Sequence, residues 1–115
     1  MKILRAYNVQ IWCGLKETFG DRKTHTIDDV RRICNDYVNE KKDCVSITET
    51  EFRYTNGFEK GVIIGFITYP RFPRKKREIR KRALFLANKL MIELNQYKVT
   101  VTTPYKSYML ENDKV

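Results

Sequence analysis

The chain has 115 residues, of which 42% are hydrophobic and 12% aromatic, and it carries a formal net charge of +9. Those figures exclude a disordered chain, whose few apolar residues would not fill a core, and they suit one domain that folds without disulfides or metal. A balance this basic implies an acidic partner: nucleic acid, a phosphorylated small molecule, an anionic membrane or an acidic protein.

Three cysteines, Cys13, Cys34 and Cys44, are an odd number without CxxC spacing, and each has apolar neighbours. They read as buried reduced thiols, which places the chain in the cytoplasm. With His25 the only histidine, no zinc constellation forms, and neither a metal nor another cofactor is expected. The N-terminal MKILRAYNVQIW is interrupted by Arg5, Asn8 and Gln10, so it is neither a signal peptide nor a membrane span.

From Ile3 to Leu15 the residues alternate, with Tyr7, Val9, Ile11, Cys13 and Leu15 on one face of a long strand. After a polar loop, Thr26 reads as an N-cap with Asp28 and Asp29 in the first helical turn, where carboxylates favour the dipole. Ile27, Val30, Ile33, Cys34, Tyr37 and Val38 then form one apolar stripe at helical spacing. Cys44 to Tyr54 is a second strand. Its apolar parity switches between Ile47 and Phe52, which predicts a bulge near Thr48 to Glu51. Thr55-Asn56-Gly57 is a turn, and Gly61 to Tyr69 is a central strand, apolar on both faces. A long helix follows the two prolines, Pro70 and Pro73, with Pro73 as its first residue. Tyr97 to Thr103 alternates as a fourth strand. The tail, 104–115, either adds a short strand or folds back on the second helix.

The order β-α-β-β-α-β predicts an α+β protein on the ferredoxin-like split βαβ plan: a four-stranded antiparallel sheet with two helices on one face. Residues 1–115 form a single domain on this reading, with 1–103 as its core. Two helices cover one sheet face only. The second apolar set of the third strand, and Phe85 and Ile92 opposite the core stripe of the second helix, therefore predict a homo-oligomer or cover from the tail.

The strongest chemical signal is charge. Between Arg71 and Arg82 stand eight basic residues and one acid, Glu78, which is +7 of the chain's +9. A helix N-terminus favours acids, so this crowding works against local stability and implies an anion from outside. Arg71, Arg74, Lys75, Lys76, Arg77, Arg80 and Lys81 are the residues expected to hold phosphate groups, with Tyr69 and Phe72 placed to stack on a base. The leading expectation is thus a non-catalytic nucleic-acid-binding module. A second is an oligomeric binder of a small nucleotide signal, comparable only in architecture to trimeric signal-binding proteins. A third is a phage-type accessory inhibitor that docks on another protein. Membrane insertion is not expected, because the apolar residues of the basic helix are committed to a core.

Catalysis finds little support in the sequence. His25 reads as a solvated loop residue, Glu49 and Glu51 as a charged strand edge, and Cys13 as a buried thiol. Acyl-phosphate hydrolases on the same plan use an arginine in the first strand-helix loop. Gly14-Leu15-Lys16-Glu17 lacks that arginine, so the activity is not carried over.

Overall fold

The alternation at the N-terminus becomes the middle of a sheet. The computed structural model describes residues 1–67 and 74–113. In it β1 (Val9–Gly14) pairs antiparallel on both sides, with Ile11 opposite Ile64 of β3 and Val101 of β4. Tyr7, Val9, Ile11, Cys13 and Leu15 are all buried, as the period of two requires, although the strand begins at Val9 rather than Ile3.

The remaining elements are α1 (Ile27–Lys41), β2 (Ser46–Tyr54), β3 (Gly57–Phe66), α2 (Lys76–Glu93), β4 (Lys98–Thr102) and β5 (Ser107–Glu111). The sheet order is β2-β3-β1-β4-β5, and every pairing is antiparallel. The molecule is therefore α+β, with two helices and an antiparallel sheet. It has five strands where four were expected, so the four-stranded sandwich does not describe it. The tail supplies the extra strand. Tyr108 and Leu110 of β5 pack against the core, and the side chain of Thr103 accepts from the amides of Tyr105 and Lys106 to turn the chain back. The tail extends the sheet and does not lie on α2.

Thr26 caps α1 as expected, in a capping box closed by Asp29. Val30, Ile33, Cys34 and Tyr37 of α1 join Ile79, Ala83, Leu86, Ala87, Leu90 and Met91 of α2 in one core against Val9, Ile11, Val62, Ile64, Val99 and Val101 of the sheet. α2 begins at Lys76, with Lys75 as an N-cap that makes no side-chain capping bond. Pro73, expected as its first residue, lies outside the described residues, as do Pro70 and the end of the expected third strand at Tyr69.

No bulge interrupts β2. It pairs with β3 without a break from Ser46–Gly65 to Tyr54–Gly57, and Asn56 at φ 65° turns the hairpin. The parity switch has another cause: Ile47 packs on the core, while Phe52 stands on the opposite face, over Gly61. Cys13 and Cys34 are buried but Cys44 is exposed, which corrects the expectation of three buried thiols. Among the described residues no helix is long and apolar enough to cross a membrane.

Candidate active site

One end of the uncovered sheet face is short of side chains. Because i and i+4 share a strand face, Gly57, Gly61 and Gly65 all open onto the side of β3 away from the helices. Across the β1–β3 ladder Gly61 pairs with Gly14, so two glycines adjoin in a trough that neighbouring side chains cover, both residues being buried. A Cβ on Gly61 would overlap the Phe52 ring and lie 2.9 Å from the carbonyl of Cys13. Glycine is required there by close approach.

The trough has a polar rim. A Cβ placed on Gly14 would have three nearest neighbours, all acceptor oxygens: Gln96 Oε1 at 3.1 Å, and Glu59 Oε1 and Oε2 at 3.1 and 3.2 Å. Glu59 is half-buried and makes no hydrogen bond or ion pair among the described residues. Gln96 is 5% exposed and reaches the trough from the loop after α2. Its Nε2 donates to the carbonyls of Lys16 (2.8 Å) and Leu94 (3.2 Å), which occupies the amide hydrogens and fixes Oε1 towards Gly14. Further along the same face Trp12 is half-buried and donates from Nε1 to Thr102 Oγ1 at 2.9 Å. An aromatic ring, a carboxylate without a partner among the described residues and a fixed amide oxygen thus stand beside the two glycines.

Nucleophilic chemistry is not what the site offers. Cys13 borders it but points into the core. Burial, and then the nearby Glu59 carboxylate, push its thiol up to about 12, so it stays protonated. Burial likewise pushes Cys34 up to about 11.

His25 is not the solvated loop residue expected. It is buried, with Nε2 2.9 Å from Glu17 Oε2 and Nδ1 3.2 Å from Asp29 Oδ2. Asn95 Nδ2 donates to the same Glu17 oxygen at 2.9 Å, so the group ties the first loop to both helices. The Asn95 hydrogen bond, with His25 and against the cost of burial, holds the Glu17 carboxyl below its usual range. The Thr26 backbone bond, helped by His25, does the same for Asp29. Glu49 and Glu51 are exposed at the β2 edge, as expected.

The basic cluster lies elsewhere and is partly neutralised. Asp43, just past the end of α1, accepts from Arg74 Nη1 at 2.5 Å and Tyr37 Oη at 2.6 Å, and Arg82 Nη1 stands 3.6 Å away. Burial opposes ionisation of Asp43, but Tyr37, the Cys44 amide and Arg74 outweigh it and keep its carboxyl low. Lys76 lies over the rings of Tyr7 and Tyr105, at 5.6 and 5.3 Å. Lys75, Arg77 and Lys81 are exposed and Arg80 is half-exposed, with no ion pair among the described residues. Tyr69, Arg71 and Phe72 lie outside the described residues. From Arg82, the end of the cluster, to Glu93, α2 puts about 18 Å of helix between the cluster and the loop that carries Gln96. The structure does not bring the two regions together.

No protein-family model matches the chain, and no curated protein matches it significantly. Among solved structures it is similar to a phage SAM lyase in complex with S-methyl-5'-thioadenosine. The TM-score is 0.81 at 20% identity, over 100% of this chain and 98% of that one. It is equally similar to a phage SAM lyase in the apo state, with TM-score 0.80 at 21% identity and the same coverage. These likenesses establish a shared fold. They also overturn the functional expectation drawn from charge: the chains that share this fold from end to end are enzymes. The non-catalytic module that holds nucleic acid, the sequesterer of a nucleotide signal and the accessory inhibitor all lose their ground. Of the basic cluster, Arg74 and Arg82 are engaged within the chain, by Asp43 and the last carbonyls of α1.

Proposed function

We propose that this chain is an S-adenosylmethionine lyase, which cleaves the bond from sulfur to the amino-acid side chain and releases S-methyl-5'-thioadenosine. In that step the electron pair of the broken bond goes to sulfur, and the sulfonium becomes a neutral thioether. No water is consumed: an oxygen of the substrate's own carboxylate closes onto the carbon as the carbon–sulfur bond breaks, which gives a lactone and moves no proton. The leaving group needs no protonation, because it departs neutral. Such a reaction asks for orientation and electrostatics rather than for an acid or an activated nucleophile. A site without a reactive thiol or an accessible histidine suits it.

The observation that carries this reading is Glu59: a half-buried carboxylate with no hydrogen bond or ion pair among the described residues, at a glycine trough, in a fold shared with enzymes of that activity. Phe52, whose ring lies over Gly61, supplies an aromatic edge for the adenine, and Glu59 and Gln96 beside Gly14 supply the polar side. The test is to incubate the purified chain with S-adenosylmethionine and to measure S-methyl-5'-thioadenosine by chromatography. Release well above the protein-free rate is expected, and release at that rate rejects the reading.

The homo-oligomer expected from the sequence is kept as a proposal. It is supported by Phe85 and Ile92, which remain 44% and 45% exposed, and by Met109, exposed on the uncovered sheet face. Sedimentation at micromolar concentration distinguishes it from a monomer.

A further inference from the structure

Gln96 and Glu59 form a seat with an unusual composition. The three atoms nearest to a Cβ position on Gly14 are all acceptor oxygens, at 3.1 to 3.2 Å. Gln96 is held by four hydrogen bonds: Nε2 to Lys16 and to Leu94, its amide to the Met91 carbonyl at 2.9 Å, and its own carbonyl from Asn112 Nδ2 at 3.1 Å. Its side chain cannot turn a donor towards the seat without breaking two of these. Glu59, when ionised, is an acceptor only. Among the described residues neither group is a buried orphan, so both stand where a ligand can reach them, and a carboxylate beside an amide oxygen calls for a donor. The occupant that satisfies both groups is a donor-only cation.

We propose that Glu59 and Gln96 Oε1 seat the α-ammonium of the substrate, and that Gln96 is a specificity-determining residue that selects ligands carrying an amino-acid end. The inference rests on the lyase reading above and extends it. The other parts of S-adenosylmethionine fit the seat less well. A sulfonium has no hydrogen to donate. A ribose hydroxyl donates once but brings lone pairs of its own, which would meet only acceptors here. A substrate carboxylate is repelled. An ammonium offers three hydrogens and a positive charge, so it bonds to both groups and neutralises Glu59. Seating that end also fixes the carbon chain beside the sulfur, where the bond breaks.

Two ligands separate this assignment from its rivals. S-adenosylhomocysteine keeps the amino-acid end and has no sulfonium, so it is not cleaved, whereas S-methyl-5'-thioadenosine lacks that end. Calorimetric titration of wild-type chain, Glu59→Gln and Gln96→Met with both gives the answer. Each substitution is expected to weaken S-adenosylhomocysteine roughly ten- to a hundredfold, the size of a charge-assisted hydrogen bond, and to change S-methyl-5'-thioadenosine less than twofold. Equal losses for both ligands would place the nucleoside in the seat and overturn the proposal, as would no loss for either. Gln96→Met removes bonds that hold the loop. If it unfolds, Glu59→Gln, which breaks no hydrogen bond or ion pair among the described residues, decides alone. A wild-type chain that binds neither ligand and releases no S-methyl-5'-thioadenosine removes the lyase reading together with the seat. A wild-type chain that cleaves the substrate, while both variants keep full affinity for S-adenosylhomocysteine, removes the seat only.

Discussion

Arg82 donates from Nη1 to the carbonyl of Lys41 at 2.9 Å, so a cation from the first turns of α2 closes the last turn of α1. Arg74 does the same for the Lys42 carbonyl at 3.3 Å while pairing with Asp43. Cations that are misplaced for the dipole of their own helix are well placed for that of its neighbour, whose terminal carbonyls carry partial negative charge. Lys42, in the left-handed region at φ 55°, swings Asp43 under both arginines.

This relationship divides the basic cluster in two. Asp43→Ala should lower stability by about 3 kcal/mol, because it strands Arg74 and the Tyr37 hydroxyl without their acceptor. Replacing Arg77 or Lys81 by Gln should change stability by less than about 0.5 kcal/mol. Urea denaturation of the three variants checks the contrast, and equal effects would contradict it.

Stability should also fall in acid. The Glu17, Asp29 and Asp43 carboxyls are all held below their usual range in the folded chain: Glu17 chiefly by Asn95, Asp29 chiefly by Thr26, and Asp43 by Tyr37, Cys44 and Arg74 against the cost of burial. A lowered folded pKa adds stability that is complete above the unfolded value, about 4, and is lost as pH falls through the folded value. Urea midpoints should hold steady from pH 7 to about 5 and drop below that. Asn95→Ala should flatten the drop. A midpoint independent of pH down to about 3 would contradict the assignment.

The two glycines of the trough should fail differently. Gly61→Ala forces a Cβ against the Phe52 ring and a backbone oxygen, and should cost about 1–3 kcal/mol. Gly14→Ala meets only the tips of two side chains, so the chain should still fold, with its melting temperature lowered by only a few degrees. It fills the seat, however, and should reduce release of S-methyl-5'-thioadenosine about tenfold or more. Melting curves and rates measured on the same preparations separate the two cases.

Thiol chemistry gives an independent check on the core. Cys44 is exposed, whereas burial keeps Cys13 and Cys34 protonated. One thiol per chain should react with an aromatic disulfide reagent at neutral pH, and three in denaturant. Rapid reaction of a second thiol in the native state would mean that the core is not packed as described.

Local features were legible in the sequence. The cap at Thr26, the stripe of α1 and the alternation from Tyr7 to Leu15 each depend on residues a few positions apart, and a window of that size contains their cause. The unread features were assembled by topology. Asp43 and Arg74 are 31 positions apart, so the acid that pairs with Arg74 and Arg82 was invisible to a count of local charge. Phe52 broke the parity of β2 because its ring covers a glycine on the next strand, a contact that imitates a bulge in one dimension. β5 was hard to read because five residues with two inward side chains give almost no periodic signal. The site itself takes Gly14, Glu59 and Gln96 from three separate segments. One clue did lie in plain view. The spacing of Gly57, Gly61 and Gly65 removes the side chains from one strand face, and glycine in a strand marks close approach, here by Tyr54, Phe52 and Ser46 of β2.

Steady-state cleavage of S-adenosylmethionine by the wild-type chain, by Glu59→Gln and by Lys81→Gln tests the account most directly. If the open sheet face is the site, Glu59→Gln loses roughly a hundredfold in kcat/KM, the scale of a charge-assisted hydrogen bond, and Lys81→Gln stays within about twofold. A Glu59→Gln variant as active as wild type, or a loss confined to Lys81→Gln, would move the chemistry away from the glycine trough and contradict the account.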